Sequence, residues 1–317
     1  MKYKPLTGLV AAAFTPLQAN GALDLDRIPA VVDHLQRDGV SALYILGSTG
    51  EGVSLTTQER MAVAEAYVQA ARGRLPVVVQ VGHNSLAEAR TLAAHAQHIG
   101  ADAISAMPPE YFKPETIEVL VDSLAEITQA APELPFYYYH IPALTGVHLS
   151  MEAFLQQGSK RLSTLAGIKF SDRRLEELQA CRHIEPGRFD VLFGVDEMFL
   201  SGLVLGVRGA VGSTYNFAAP LFRRILHYVE TGNLERAEHL QARANRMIQA
   251  ILHHGGRGGL KAVMSLIGLD LGGHRLPLQT PGPDALRAMR QALENMGFFE
   301  WARASDIPLS SDGELRP

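Results

Sequence analysis

The sequence has almost no cysteine: a chain of 317 residues contains one, Cys181. A single thiol excludes an intrachain disulfide, a CxxC redox pair and a cysteine-rich zinc site. The sequence also lacks the run of about 18 to 20 apolar residues that a membrane-spanning helix requires. Together these absences predict a cytoplasmic protein with no membrane partner.

Neither sign of charge is in large excess. The chain has 33 acidic and 29 basic residues, which gives a formal net charge of -4. Such a balance gives no electrostatic reason to expect binding to nucleic acid or to an anionic membrane. Hydrophobic residues make up 47% of the chain, enough for a large buried core. The expected partners are therefore small molecules or other protein chains.

Short apolar runs alternate with longer stretches of helical periodicity eight times over residues 1–232. Because no linker separates these units, they favour one closed (β/α)8 barrel, a TIM barrel, over an open doubly wound sheet. Residues 233–317 are expected to form a C-terminal helical extension packed on the barrel, with breaks at 253–259 and 272–283. The predicted strands are residues 7–17, 42–47, 76–82, 101–108, 134–142, 165–171, 189–195 and 209–215.

Lysine is scarce, with six residues against 23 arginines, and only Lys169 lies inside a predicted apolar strand, LAGIKF. A free lysine has a pKa of about 10.4, which burial can lower by several units. A lysine that faces the barrel interior is therefore a candidate amine nucleophile for a carbonyl, giving a Schiff base. The alternative is a lysine at the rim whose amine reaches solvent or a carboxylate.

Tyr139 ends the strand that precedes the strand of Lys169. A tyrosine hydroxyl can exchange a proton with a bound alcohol. The alternative, a large strand residue with a satisfied hydroxyl, is favoured for Tyr137 and Tyr138. Because active sites of such barrels lie at the C-terminal ends of the strands, Lys169 and Tyr139 are expected to share one site.

The second strand is followed by the segment GSTGE at residues 47–51. Its spacing matches neither GxxxxGK[ST] nor GxGxxG, which argues against a phosphate-binding loop. The adjacent hydroxyls of Ser48 and Thr49, with free backbone amides, suit a carboxylate instead. The glycine-rich residues 255–259 fail the same tests and are interpreted as a helix connector. The next helix is expected at 56–72, with the capping residue Thr57 followed three positions later by an arginine.

Two histidine pairs are candidate metal ligands. His95 and His98 share one face of a predicted helix, and His253 and His254 are adjacent in the chain. Neither pair has a third ligand at a spacing typical of metal sites. We therefore expect neither a metal ion nor a cofactor.

Four segments, in this order, resemble the N-acetylneuraminate lyase branch of the lyase and dihydrodipicolinate synthase superfamily. They are GSTGE at residues 47–51, YHIPALTG at 139–146, GIK at 167–169 and GSTYN at 212–216. The resemblance extends over essentially the whole barrel, about residues 6–298. It implies a class I aldolase that cleaves N-acetylneuraminate reversibly to N-acetylmannosamine and pyruvate, without metal or cofactor.

The resemblance also implies roles for individual residues. Lys169 would form the Schiff base and Tyr139 would shuttle the proton. Ser48 and Thr49 would bind the substrate carboxylate, and Thr49 would assist the proton relay. The pocket for the sugar hydroxyls and the glycerol tail would be lined by Ser171, Gly194, Asp196, Glu197 and Ser213.

Several positions depart from parts of the superfamily. Leu144 stands where the synthase branch has an arginine that binds the carboxylate of the second substrate, so the uncharged side chain argues against a synthase. His140 resembles the animal-type lyases, because bacterial lyases commonly have asparagine there. Ser171 keeps the hydroxyl of the threonine that bacterial lyases often carry. The carboxylate oxygens of Asp196 and Glu197 suit a polyol, although acidic residues are also typical of a helix N-terminus.

Three alternative functions keep the barrel fold. The chain could act as an aldolase or dehydratase on another 2-keto-3-deoxy sugar acid, or as a dihydrodipicolinate synthase-like enzyme. It could also be a non-catalytic barrel that binds a keto acid, which the presence of both Lys169 and Tyr139 argues against. The family implies a homotetramer, built as a dimer of dimers. Tyr111 stands where some relatives supply a tyrosine to the site of a neighbouring subunit.

Overall fold

Eight parallel strands close into a barrel, each paired with the next in chain order and the last with the first. The structure is a computed structural model that describes residues 4–301; the predicted tail after Ala304 lies outside this range. The predicted TIM barrel is confirmed. The strands are β1 (Gly8–Ala12), β2 (Ala42–Ile45), β3 (Val77–Gln80), β4 (Ala103–Ala106), β5 (Phe136–His140), β6 (Leu165–Phe170), β7 (Asp190–Phe193) and β8 (Gly209–Gly212).

Helices connect the strands and continue past the last one. Short 3-10 turns lie at residues 25–27, 52–54 and 196–198. Among residues 4–301, no helix combines the length and the apolar character needed to cross a membrane. The helices are α1 (Ile28–Arg37), α2 (Thr57–Ala71), α3 (Leu86–His98), α4 (Ile117–Thr128), α5 (Pro142–Thr145), α6 (Met151–Arg161), α7 (Leu175–His183), α8 (Phe199–Val204), α9 (Tyr215–Glu230), α10 (Leu234–Leu266), α11 (Pro283–Asn295) and α12 (Phe298–Trp301).

The core has two parts, because neighbouring side chains of a strand point to opposite faces. In β5, Tyr137 and Tyr139 belong to the cluster inside the barrel. Tyr138 belongs to the larger cluster between the strands and the helices. In β6, Ile168 and Phe170 also belong to this outer cluster, so Lys169, between them in the chain, points into the barrel.

Helix α2 begins one residue earlier than the capping pattern predicts. The N-cap is Thr56, whose hydroxyl accepts a hydrogen bond from the backbone N–H of Glu59, while the Glu59 carboxylate accepts one from the N–H of Thr56. This reciprocal pair satisfies two backbone donors that the first helical turn leaves free. The prediction of Thr57 as the cap was therefore wrong, and the Thr57 hydroxyl instead donates to Glu88.

The C-terminal part of the chain covers the mouth of the barrel. Helix α10 packs against α8 and α9. The break predicted at residues 253–259 reduces to a kink at Gly256, whose φ of 55° and ψ of -151° only glycine adopts readily. The residues on either side remain helical, including His253 and His254. Residues before and after the kink lie at the C-terminal ends of the strands.

Candidate active site

A cavity of about 350 Å³ opens at the C-terminal ends of the barrel strands, a size typical of small-molecule sites. Its position follows from the fold, since the loops after parallel strands meet at one end of the barrel. All the residues that the sequence predicted for the site line this one cavity. They are Ser48, Thr49, Tyr139, Lys169, Ser171, Gly194, Asp196, Glu197 and Ser213.

Lys169 lies at the floor of the cavity and is only 4% exposed. Its Nζ is 3.9 Å from the ring centroids of both Tyr44 and Tyr139. Burial lowers the pKa of this lysine, and the interactions with Tyr139 and Asp196 oppose the shift without reversing it. The alternative of a solvent-exposed rim lysine is therefore wrong. A lowered pKa makes the neutral amine, which can add to a carbonyl, more accessible.

Tyr139 is the tyrosine of β5 whose hydroxyl lies next to the cavity residues. The side chain is 3% exposed, and its hydroxyl is 3.4 Å from the Oγ of Ser48. Tyr137 donates its hydroxyl hydrogen to Asp190, at 2.9 Å, and Tyr138 packs against Phe154 outside the barrel. The interpretation as a strand residue with a satisfied hydroxyl is confirmed for Tyr137, and Tyr138 does not line the cavity.

The loop after β2 holds its hydroxyl groups in a strained backbone. Leu46 and Glu51, which flank residues 47–50, have left-handed φ values of 61° and 55°. Non-glycine residues in this region cost about 1–3 kcal/mol each and occur where surrounding contacts impose them. Between them, Thr49 forms a 2.6 Å hydrogen bond through its hydroxyl to the hydroxyl of Ser213. The loop after β2 is thus connected directly to the loop after β8.

Asp196 is 8% exposed and is already engaged with the protein. Its Oδ2 accepts hydrogen bonds from the backbone N–H of Thr214 at 3.0 Å and from the Thr214 hydroxyl at 2.7 Å. Burial is the largest influence on this carboxyl and raises its pKa to about 6. A Cβ at Gly212 would lie 2.2 Å from Oδ1, so a side chain at this position of β8 would displace the carboxylate. Asp196 therefore fixes the start of the loop after β8.

Glu197 differs from its neighbour, because its side chain is 36% exposed and approaches Arg173, with 3.6 Å between Oε1 and the guanidinium. The two acids are therefore not equivalent acceptors for one ligand. The expectation that both present their oxygens to a polyol fits Glu197 better than Asp196. Both begin the 3-10 turn at residues 196–198, which agrees with the alternative of acids at a helix N-terminus.

Ser171 and Gly194 form a close pair in the lining of the cavity. A Cβ at residue 194 would lie 2.0 Å from the Ser171 Oγ, so a side chain there would force the Ser171 hydroxyl to move. The Ser171 hydroxyl is buried and has no hydrogen-bond partner among residues 4–301. A buried hydroxyl without a partner is costly, and a ligand in the cavity can supply the missing partner.

The C-terminal extension contributes a wall of the cavity that the sequence did not predict. Arg257, from the segment interpreted as a connector, is exposed and has no ion pair or hydrogen bond among the described residues. The helical spacing of Ile248 and Leu252 was a signal for one apolar face, but not for what that face covers. The residues of this wall are Ile248, Leu252, Arg257, Leu260, His274 and Leu278.

Three residues singled out in the sequence have different positions. Leu144 lines the cavity and is 44% exposed. His140 is fully buried outside the barrel against Phe170, with ring centroids 5.2 Å apart, and burial lowers its pKa to about 4. Tyr111 lies in the loop after β4, where it packs edge to face with Phe112 and does not line the cavity of its own chain.

In the part of the chain that the structure describes, the histidine pairs form no cluster of metal ligands. The one group of histidine and carboxylate ligand atoms within 4.8 Å of each other is His140, Asp172 and Glu177. Arg174 forms ion pairs with both carboxylates, at 2.8 Å for Asp172. Because the guanidinium already supplies a cation to this cluster, we assign no metal to it.

The fold and the position of the cavity agree with the comparison to protein families. The model of the dihydrodipicolinate synthetase family matches residues 5–296, and the chain belongs to this family. The resemblance to the superfamily is thereby confirmed.

Within the family, the chain is similar to N-acetylneuraminate lyases. It is 42% identical to N-acetylneuraminate lyase A of Xenopus laevis over 279 residues, covering 87% of this chain and 91% of the relative. Identity to the human N-acetylneuraminate lyase is 40% over 310 residues, 96% of each chain. The structure of the N-acetylneuraminate lyase (sialic acid aldolase) from Aliivibrio salmonicida superposes with a TM-score of 0.90 at 37% identity, over 93% of this chain and 98% of that one.

Proposed function

We propose that the protein is a class I aldolase that cleaves N-acetylneuraminate reversibly to N-acetylmannosamine and pyruvate. The observation that carries this proposal is the buried amine of Lys169, with its lowered pKa, at the floor of the cavity. A buried lysine of this kind is suited to Schiff-base formation with a ketone. The similarity to N-acetylneuraminate lyases supports the choice of sugar acid.

The proposed reaction begins at Lys169. Its Nζ adds to the C2 ketone of the open-chain sugar acid, and loss of water gives an iminium ion. The C3–C4 bond then breaks, and its electron pair moves through C3 to the iminium nitrogen. N-acetylmannosamine leaves as the aldehyde, and an enamine of pyruvate remains on the lysine. Protonation of C3 and addition of water release pyruvate and restore the amine.

Tyr139 is proposed to move the proton that this cleavage requires. Its oxygen accepts the proton of the C4 hydroxyl as the C3–C4 bond breaks, while its own proton passes towards the substrate carboxylate. The hydroxyl of Ser48, 3.4 Å away, and that of Thr49 are the relay groups nearest to this path. The relay later delivers a proton to C3 of the enamine, which balances the proton taken from the C4 hydroxyl.

The substrate carboxylate is proposed to bind at Ser48 and Thr49. Both hydroxyls line the cavity, and the 2.6 Å hydrogen bond between the hydroxyls of Thr49 and Ser213 holds one of them in place. The backbone amides of the same loop add neutral donors. Hydrogen bonds to an anion are stronger than those between neutral groups, so a few such donors suffice without a positive side chain.

The sugar hydroxyls and the glycerol tail are proposed to lie between two groups of polar residues. Ser171, next to Gly194, offers a hydroxyl that has no hydrogen-bond partner among the described residues. Glu197 offers acceptor oxygens, and Ser213 a hydroxyl. Asp196 mainly stabilises the loop after β8, because its Oδ2 accepts two hydrogen bonds from Thr214.

Leu144 supports a neutral second substrate. It lines the cavity with an uncharged side chain, so it cannot pair with a carboxylate there. In the reverse direction, an aldehyde sugar such as N-acetylmannosamine is therefore expected to be accepted in preference to an anionic aldehyde. This distinction separates the lyase reaction from that of a synthase.

We further propose that the enzyme is a cytoplasmic homotetramer, a dimer of dimers. Tyr111 and Phe112, which are 78% and 85% exposed, form an apolar patch beside the barrel mouth, and such patches are typical of interaction surfaces. Isologous pairing is the usual way in which identical chains cover such a patch. Light scattering should give four chains per particle. A stable, fully active monomer would contradict the assembly.

A substrate panel tests the proposed function. Purified enzyme is assayed for pyruvate release from N-acetylneuraminate and from other 2-keto-3-deoxy sugar acids, and for condensation of pyruvate with aspartate semialdehyde. We expect the highest kcat/KM with N-acetylneuraminate and none in the Lys169→Met variant. Preference for another sugar acid, preference for aspartate semialdehyde, or pyruvate binding without turnover would each replace the proposal by one of the three alternatives.

A further inference from the structure

A buried group of charges lies behind the loop that carries Ser48 and Thr49. The side chains of Glu51 and Lys261 are each 1% exposed, and the Lys261 Nζ donates to Oε1 of Glu51 at 3.1 Å. His274 Nδ1 lies 2.9 Å from the same oxygen, with its side chain 4% exposed. Glu51 and Lys261 are 210 positions apart in the chain, so this contact joins the barrel to the C-terminal extension.

Each charge of the group has a partner. Burial alone would raise the pKa of Glu51, but the close approach of His274, the charge of Lys261 and the backbone N–H of Arg275 together lower it. The Lys261 amine also donates to the carbonyl of Gly273, at 2.7 Å. Because removal of one partner would leave the other charged and buried, the pair acts as a unit.

The carboxylate of Glu51 also binds a second residue of the C-terminal extension, Arg275. Oε2 of Glu51 accepts from the backbone N–H of Arg275 at 3.1 Å. The Arg275 guanidinium in turn donates to both oxygens of Glu59 at 2.8 and 2.6 Å, and to the carbonyl of Gly21. Residues 273–275 are thus fastened to α2 and to the loop after β1.

Glu51 is also the residue that ends the strained loop. Its φ of 55° and that of Leu46, 61°, are backbone conformations that L-residues rarely adopt without outside contacts. The backbone N–H of Glu51 donates to the carbonyl of Ser48 at 3.3 Å. A shift of the Glu51 carboxylate is therefore transmitted to the two hydroxyl residues through only a few bonds.

We propose that Glu51 and Lys261 are positioning residues that set Ser48 and Thr49 for the carboxylate of the bound 2-oxo acid. Neither side chain lines the cavity, so the pair acts through the loop and not by contact with substrate. This role rests on the proposed function, because it requires that Lys169 binds a 2-oxo acid. Through Lys261, the C-terminal extension would then contribute to substrate binding.

The test measures binding of pyruvate alone. Borohydride traps the pyruvate adduct on the full-length enzyme, and the trapped fraction is followed against pyruvate concentration. The variant Glu51→Gln with Lys261→Met removes both charges together and so leaves no unpaired buried ion. Because misplaced donors weaken binding more than chemistry at saturation, we expect the half-saturating pyruvate concentration to rise about tenfold or more, with the saturating rate within about threefold.

Lys160→Met is the matched control, because it removes an exposed lysine on α6. Its half-saturating concentration should equal that of the wild type. Should the double variant not fold, as judged by circular dichroism, Glu51→Asp replaces it. This variant keeps the charge and withdraws the carboxylate by one methylene, and the same rise is expected.

An unchanged half-saturating concentration in the folded variant would overturn the positioning role. So would a fall in the saturating rate alone, which indicates only a smaller fraction of intact enzyme. The proposed function can fail separately: wild-type enzyme that traps pyruvate but does not cleave N-acetylneuraminate refutes the lyase and leaves the positioning role in force. Wild-type enzyme that traps no pyruvate removes both.

Discussion

Replacing Asp196 by asparagine removes a buried charge beside the cavity while it keeps the shape of the side chain. The carboxylate accepts two hydrogen bonds from Thr214, yet burial dominates and raises its pKa from 3.8 to about 6. The folded protein therefore binds a proton at Asp196 more tightly than the unfolded chain does. Asparagine has no titrating proton, so the Asp196→Asn variant loses this dependence on pH.

The size and the sign of the effect follow from this shift. A rise of about two pKa units corresponds to ~3 kcal/mol, at ~1.36 kcal/mol per unit. The stabilising contribution is fully present below the unfolded-state pKa of 3.8 and is lost as the pH rises through the folded-state pKa of about 6. Between about pH 4 and pH 7, the unfolding free energy of the wild type should therefore fall by ~3 kcal/mol relative to that of Asp196→Asn.

Urea unfolding over a pH series measures this difference, at one fixed protein concentration because assembly also affects stability. The wild-type curve alone is not diagnostic, since His140, with its pKa lowered to about 4, titrates over the same range. The difference between wild type and variant cancels such groups. Glu197→Gln controls for the loss of one carboxylate charge. Parallel wild-type and Asp196→Asn curves would refute the burial argument, as would a difference of opposite sign.

Further predictions concern the reaction. Since burial lowers the pKa of Lys169, the rate of pyruvate trapping should level off below the ordinary lysine pKa of about 10.4, and a rate still rising beyond that pH in a stopped-flow series would contradict it. Gly194→Ala places a Cβ 2.0 Å from the Ser171 Oγ, and should lower kcat/KM for N-acetylneuraminate at least about tenfold while pyruvate trapping persists. Glu197→Ala should cost about ten- to hundredfold in kcat/KM, through hydrogen bonds worth about 0.5–3 kcal/mol each; an unchanged value would remove Glu197 from the sugar site. Leu144→Arg should weaken turnover of N-acetylneuraminate and admit an aldehyde that carries a carboxylate, which a condensation assay with aspartate semialdehyde would detect.

The barrel and the rim residues were predictable because both depend on local patterns. Each βα unit carries its own alternation of apolar runs and helical periodicity, and parallel strands bring their C-terminal ends to one edge. Lys169 and Tyr139 could therefore be assigned to one cavity, although they lie 30 positions apart in sequence. The inward direction of Lys169 follows from its two outward-facing neighbours.

The contacts that were not predictable join distant parts of the chain. The partner of Glu51 is 210 positions away, and no local pattern connects the two. A signal existed in the second half of α10, where Lys261 interrupts an otherwise apolar stretch, but a lone lysine in a helix does not identify its partner. Thr214 donates two hydrogen bonds to Asp196, and this arrangement depends on the close approach of the Asp196 carboxylate to Gly212. Only the three-dimensional structure reveals that approach. The cap is Thr56 and not Thr57 because the glutamate that completes the capping box, Glu59, lies three positions after Thr56.

Mapping the pyruvate adduct identifies the lysine that forms the Schiff base. Wild-type enzyme is incubated with pyruvate and borohydride, digested and analysed by mass spectrometry. The peptide that contains Lys169 should carry the reduced adduct, and Lys169→Met should carry none although it keeps the fold. Lys261, the other fully buried lysine of the described residues, should stay unmodified. An adduct on a different lysine, or an active enzyme that forms none, would contradict the Schiff-base mechanism.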